Sequence, residues 1–187
     1  MKLFASTCLG ISLLGFCLSC SASSDSLKVL AAASLTEAFE EIADEFENKT
    51  GNGCHAHVSL WDKKGRNIFL DKKDKLGLSK NAYNFIGGIM HSAEALTAWF
   101  NPTINSFKRI NAPVTDSGAT WSPNTITYSG NNRTHMIRVP GSGRFELRLM
   151  DGAVNPYLLQ AGIIAAGMDG MKNKSNPGKP IHINMYE

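Results

Sequence analysis

The sequence predicts an α+β fold: a curved, mostly antiparallel sheet with two or more helices packed on one face. Three observations carry this. His55–Trp61 and Arg144–Leu149 alternate between polar and apolar residues, the period of a strand with one buried face. Leu78–Phe100 and Tyr157–Met168 are apolar stretches too long for strands, and read as helices. An apolar content of 43% with 19% charged residues marks a globular chain rather than a disordered one, and 187 residues suit one domain with a tail.

Residues 1–20 read as an export signal. Lys2 gives a basic start, Leu3–Leu18 is apolar, and Ser19-Cys20 precedes a polar stretch. The segment is marginally short for a permanent membrane helix, which needs about 20 apolar residues. Leu18-Ser19-Cys20 is similar to a bacterial lipobox, with Cys20 as the lipidated residue. Ordinary cleavage and an uncleaved anchor are the alternatives. Once Cys8, Cys17 and Cys20 are removed or modified, Cys54 is left as a lone thiol, so no disulfide is expected. The net charge of +3 is small and its lysines and arginines are spread out, which argues against a nucleic-acid partner.

Residues 21–50 read as a strand and a helix. Leu27–Ala32 is a short apolar run. Ser34 follows as an N-cap, with Glu37 three residues on to close a capping box. Leu35, Ala38, Phe39, Ile42, Ala43 and Phe46 recur at helical spacing, and Gly51 is a suitable stop.

Beyond Gly51 the chemistry-bearing residues fall on strands. His55, His57 and Ser59 share one face of the first strand, opposite Ala56, Val58 and Leu60. Arg144, Glu146 and Arg148 share one face of the later strand, opposite Phe145, Leu147 and Leu149. A solvated sheet face explains such rows; so does a polar funnel for metal and phosphate. Gly87-Gly88 inside the first helical stretch costs about 2 kcal/mol of helix propensity, and therefore predicts close packing there. Asn101-Pro102 ends that stretch. Asn155 caps the next helix with Pro156 at its first position. Tyr157–Met168 is apolar nearly all round and reads as a buried helix. Lys172–Pro180 reads as a loop.

Two resemblances add to this reading. KVLAAASLTEAFEEIADEFENKTG resembles the start of periplasmic molybdate-binding proteins of ABC transporters. That resemblance implies an oxyanion contact at Ser34, on a helix N-terminus where free N–H groups favour an anion; a plain N-cap is the alternative. From Gly51 onward, NGCHAHVSLW, NPTINSFKR, GNNRTHMIRVPGSGRFELR and AVNPYL resemble the C-terminal catalytic part of glutamine synthetase. The chain accordingly divides into a signal (1–20), a molybdate-protein-like segment (21–50) and a partial catalytic domain (51–187).

The second resemblance implies an ATP-dependent ligase. The γ-carboxylate of glutamate attacks ATP, and ammonia or an amine displaces phosphate from the acyl phosphate. It implies His55 and Glu146 as ligands of Mg or Mn. It places His57, Val58, Ser59, Arg133 and Arg138 at ATP. Gly51, Arg109 and Arg148 would lie at the substrate, with Arg109 and Arg133 in catalysis. Tyr186 matches a tyrosine that some bacterial members adenylylate. Ile110-Asn111-Ala112-Pro113 follows Arg109 directly, where most members carry a loop with a glutamate. With SGATWSPNTITY, this resembles the branch that includes γ-glutamylmethylamide synthetases. The family's N-terminal domain and its other metal-binding glutamates have no counterpart, so the chain is expected to be inactive by itself. Phe145, Leu147 and Leu149 are expected to be only partly covered, and the chain to self-associate. The alternative functions are an exported oxyanion-binding lipoprotein and a fusion without function. The signal implies export or membrane attachment through Cys20; the ligase family implies the cytoplasm.

Overall fold

The computed structural model describes residues 53–110 and 122–186. Cys20, Ser34 and Gly51 lie outside these, so the roles expected of them have no structural account. Four strands form one sheet: β1 (Ala56–Val58), β2 (Tyr128–Ser129), β3 (Ile137–Gly141) and β4 (Arg144–Leu147). Their order is β1-β4-β3-β2. The β1–β4 and β4–β3 pairs are antiparallel and β2–β3 is parallel. Helices α1 (Lys80–His91), α2 (Ala93–Phe100), α3 (Ile104–Ile110) and α4 (Pro156–Asn173) complete the described fold. The predicted α+β class and mostly antiparallel sheet are both present.

The first strand is shorter than its alternation suggested. After Val58 the chain leaves the sheet and turns back on itself. Ile68 N–H donates to the Leu60 carbonyl (2.8 Å) and Asp62 N–H to the Arg66 carbonyl (2.9 Å). The Asp62 carboxylate accepts from the backbone of Lys64 and Arg66, and Gly65 takes the positive φ of 73° that the turn needs. An Asx-type turn therefore ends the strand where the polar/apolar alternation continues.

The first helical stretch is two helices, not one. Ser79 caps α1, its hydroxyl accepting from Ala82 N–H (3.3 Å) and donating to the Ile68 carbonyl (2.6 Å). Ser92 separates α1 from α2 with φ −94° and ψ 3°. Its N–H still bonds to the Gly88 carbonyl and its own carbonyl accepts from Leu96 N–H. These two bonds span the junction, which hides the break from periodicity. Asn155 caps α4 as expected, accepting from Tyr157 and Leu158 N–H. The helix ends at Lys174, which adopts the left-handed conformation with φ 54°.

Helices α1 and α4 pack through a glycine seam. A Cβ on Gly88 would lie 2.1 Å from the Ala166 carbonyl oxygen and 2.6 Å from Gly170 Cα. The close packing inferred from Gly87-Gly88 is present, and Gly170 is its counterpart on α4. Beneath the helices, Phe69, Phe85 and Phe145 form a ring cluster with centroids 5.2 to 6.1 Å apart.

Two burial expectations are corrected. Phe145 and Leu147 are fully buried and Leu149 is nearly so. Phe69 and α1 supply the cover that was expected to be missing. Helix α4, read as buried all round, is buried on one face only. Leu159, Gly162, Ile163, Ala166, Gly167 and Gly170 face inward. Tyr157 (80% exposed) and Ile164 (59%) face outward with Leu158 and Met168. Mean apolarity cannot tell a buried helix from one with an apolar outer face. No helix of the described residues is long and apolar enough to cross a membrane.

Candidate functional site

The sheet register sorts the side chains into two layers. Ala56 pairs with Leu147, and Leu147 with Ile137, whose neighbour across β2 is Tyr128; this row faces the core. One residue along, His57 pairs with Glu146, Glu146 with Arg138, and Arg138 with Ser129. Four strands thus contribute one residue each to a polar row on the face away from the phenylalanine cluster.

Glu146 is the centre of that row, and its side chain is 5% exposed. Its two oxygens face different chemistry. Oε1 lies 3.3 Å from His55 Nδ1 and 3.8 Å from His57 Nε2. Oε2 accepts from Arg138 Nη1 at 2.9 Å and lies 3.4 Å from Arg148 Nη1. Burial alone would raise the carboxyl's pKa. The hydrogen bonds from His55 and Arg138 and the charge of Arg148 outweigh it, so Glu146 is held ionised far below the usual carboxylate range. Burial lowers the pKa of Arg148, and the Glu146 charge opposes this. The buried Arg148 Nε makes no hydrogen bond.

Arg109 lies nearby but is turned into the chain. Its Nη1 donates to Ser122 Oγ (3.1 Å), and its Nη2 to Asn101 Oδ1 (2.8 Å) and the Leu149 carbonyl (3.0 Å). Its Nε is 3.5 Å from Asp151 Oδ2. Gly53 sits between this guanidinium and His55: a Cβ there would be 3.7 Å from Arg109 Nη1 and 4.0 Å from His55 Nε2. Arg133 is exposed in the turn after β2, and Val58 is half-buried. Ser59 is exposed, its hydroxyl accepting from the Trp61 indole N–H. The Tyr186 hydroxyl donates to the Ser122 carbonyl.

The structure therefore brings together His55, His57, Arg138, Glu146 and Arg148, sets Arg109 beside them, and leaves Arg133 at the rim. Glu146 and Arg148 are buried, so a solvated sheet face does not describe these two positions, whereas His57 and Arg144 of the same rows are exposed. Sequence reasoning missed Asn101, Ser122 and Asp151, which hold Arg109, and Asn131, which holds Arg138. Asn101 was visible only as a helix stop. Asn131 lies in GNNR, where an amide close before arginines was the available signal.

As a cation site this face offers the His55 imidazole and the Glu146 carboxylate, with the His57 imidazole near the same oxygen, a donor set that suits Mn²⁺ and is acceptable to Mg²⁺. Among the described residues no group of three or more His, Cys, Asp or Glu side chains is arranged to hold a metal ion. The residues fit part of a coordination shell, with guanidiniums beside it for anionic oxygens.

The family described as glutamine synthetase, catalytic domain, matches residues 31–187. The chain belongs to the glutamine synthetase family. It is 65% identical over 142 residues to a glutamine synthetase of Rhizobium leguminosarum bv. phaseoli, covering 75% of this chain and 33% of that protein. It is 52% identical over 144 residues to a glutamate–methylamine ligase of Methyloversatilis universalis, covering 76% of this chain and 32% of that one. A solved structure titled "GmaS/ADP complex-Conformation 1" is similar at a TM-score of 0.68 and 60% identity, over 73% of this chain and 31% of that chain. The chain thus spans about a third of the length of these glutamine synthetase relatives. The family match begins at residue 31 and takes in Ser34; the molybdate-protein resemblance gains no support from these matches.

Proposed function

We propose that this chain supplies the phosphate- and metal-facing part of an ATP-dependent ligase that joins ammonia or methylamine to the γ-carboxylate of glutamate. The observation carrying the proposal is the divided environment of Glu146, with imidazoles at Oε1 and guanidiniums at Oε2. In this reading His55 and Glu146 hold Mg or Mn, and the cation's contribution is to neutralise phosphate oxygens. Arg138 orients the phosphates with its remaining N–H groups, and the rim residue Arg133 joins it. His57, Val58 and Ser59 border the nucleotide. Arg148 adds a second guanidinium charge behind Glu146 for the substrate's carboxylate, and Gly51 is assigned to the substrate on the family resemblance alone. Arg109, braced by Asn101 and Ser122, keeps a positive charge near the reacting carboxylate. Charge neutralisation of this kind is the general requirement of phosphoryl transfer. Similarity to a glutamate–methylamine ligase supports methylamine beside ammonia as acceptor.

With two cation donors among the described residues, the purified 187-residue chain is expected to bind Mn²⁺ with ADP one-to-one and to make no γ-glutamyl amide. Calorimetry and product analysis with ammonia or methylamine check both. ADP affinity indifferent to chelation of Mn²⁺ and to Glu146→Gln would overturn the site. Turnover that Glu146→Gln removes would overturn the expected inactivity.

Self-association belongs to the same reading. The outer face of α4 exposes Tyr157, Leu158, Ile164 and Met168, apolar area that favours contact with a second copy. Sedimentation is expected to rise with concentration, and Ile164→Lys to shift the chain toward monomer. A monomer at all concentrations would refute this. Export, with Cys20 as the lipid site, remains a proposal resting on residues 1–20 alone.

A further inference from the structure

Asn131 stands outside the polar row yet controls one of its members. Its Oδ1 accepts from Arg138 Nε at 2.8 Å and from Nη2 at 2.6 Å. These two N–H groups lie on one edge of the planar guanidinium, so a single amide oxygen fixes the plane. The remaining terminal nitrogen, Nη1, donates to Glu146 Oε2 at 2.9 Å. Asn131 thus begins a chain of contacts that runs through Arg138 to Glu146 and on to His55. The ladder sets Arg138 opposite Glu146 on one side and Ser129 on the other, and β3 loses regular register with β4 only beyond it, between Arg138 and Gly141.

The identity of the holding group matters. A carboxylate in that position would orient Arg138 equally well, but would neutralise it. An amide oxygen orients the cation and leaves its charge intact for an anion. We infer that Asn131 is a positioning residue that presents Arg138, still fully charged, to the phosphates of a bound nucleotide. This rests on the nucleotide reading of the site given above. It assigns to Asn131 a task that a surface hydrogen bond made for stability would not have.

The test uses the 187-residue chain, Mn²⁺ and ADP. Wild type, Asn131→Ala and Asn131→Asp are titrated by calorimetry with Mn²⁺ alone and with ADP at saturating Mn²⁺, and their thermal unfolding is recorded. Both variants are expected to lose about tenfold or more in ADP affinity, the usual scale for groups that orient a ligand-binding residue. Affinity for Mn²⁺ alone should change little. Asn131→Asp should regain ADP affinity relative to wild type as the pH is lowered through the carboxylate range, because protonation removes the competing charge; Asn131→Ala should not. The inference is overturned if both variants bind ADP like wild type. It is also overturned if Asn131→Asp shows the same pH profile as Asn131→Ala, which marks a structural role only. A wild-type chain that fails to bind ADP with Mn²⁺ brings down the nucleotide reading itself, and this inference with it.

Discussion

Gly88→Ala is expected to destabilise the chain by about 3 kcal/mol or more, the upper range for overpacking a close-packed interior. The added methyl would meet the Ala166 carbonyl oxygen at 2.1 Å and Gly170 at 2.6 Å. These are backbone atoms of α4, which cannot rotate aside. The helices must separate, and the phenylalanine cluster beneath them loses its lid. Intrinsic helix propensity works the other way, since alanine is favoured over glycine by about 1 kcal/mol in a helix. The two effects therefore predict opposite signs, and urea denaturation decides between them. Gly130→Ala is the control: there a Cβ would meet only the Leu76 side chain at 3.4 Å. An unchanged midpoint for Gly88→Ala would mean that the α1–α4 seam is looser than described.

Glu146→Ala is expected to cost about 3 kcal/mol, on the scale for removing one partner of a buried ion pair. Arg148 and Arg138, whose side chains are 6% and 14% exposed, would be left without their anion. Glu146→Gln should cost less, because its amide oxygen still accepts from Arg138, yet it should remove Mn²⁺ binding just as fully. The pH dependence follows from the same contacts. The folded-state pKa of Glu146 is depressed, so its contribution is fully present above the ordinary carboxylate range. That contribution is lost as the pH falls below that range toward the depressed folded value. Thermal unfolding of wild type and Glu146→Gln between pH 7 and pH 3 should therefore converge on acidification. Parallel curves would show that Glu146 carries no linked proton.

The sheet faces were legible because a strand's period is two. Knowing that Phe145, Leu147 and Leu149 are apolar fixes where Glu146 and Arg148 point. Cap and stop signals were legible for the same local reason, at Asn155-Pro156 and Asn101-Pro102. The division at Ser92 was not, because that residue keeps helix-type hydrogen bonds to Gly88 and Leu96 although its ψ of 3° is not helical. The inward turn of Arg109 was not legible either. Its acceptors come from Asn101, Ser122, Leu149 and Asp151, positions that only the finished fold brings together. The outer face of α4 shows the limit of composition: Tyr157 and Ile164 are as apolar as their buried neighbours, and only the partner surfaces distinguish them.

The polar row also has a charge balance with a direction. One carboxylate, Glu146, stands between the two guanidiniums of Arg138 and Arg148, so these three groups carry one positive charge in excess. A lone divalent cation approaching them is repelled by Arg138 and Arg148 as well as drawn to Glu146, whereas a polyphosphate is drawn to both arginines. Each ligand removes the field that opposes the other. Under the proposed function, a cation and a polyanion bound here would therefore be thermodynamically coupled, and by reciprocity each would raise the other's affinity by the same factor.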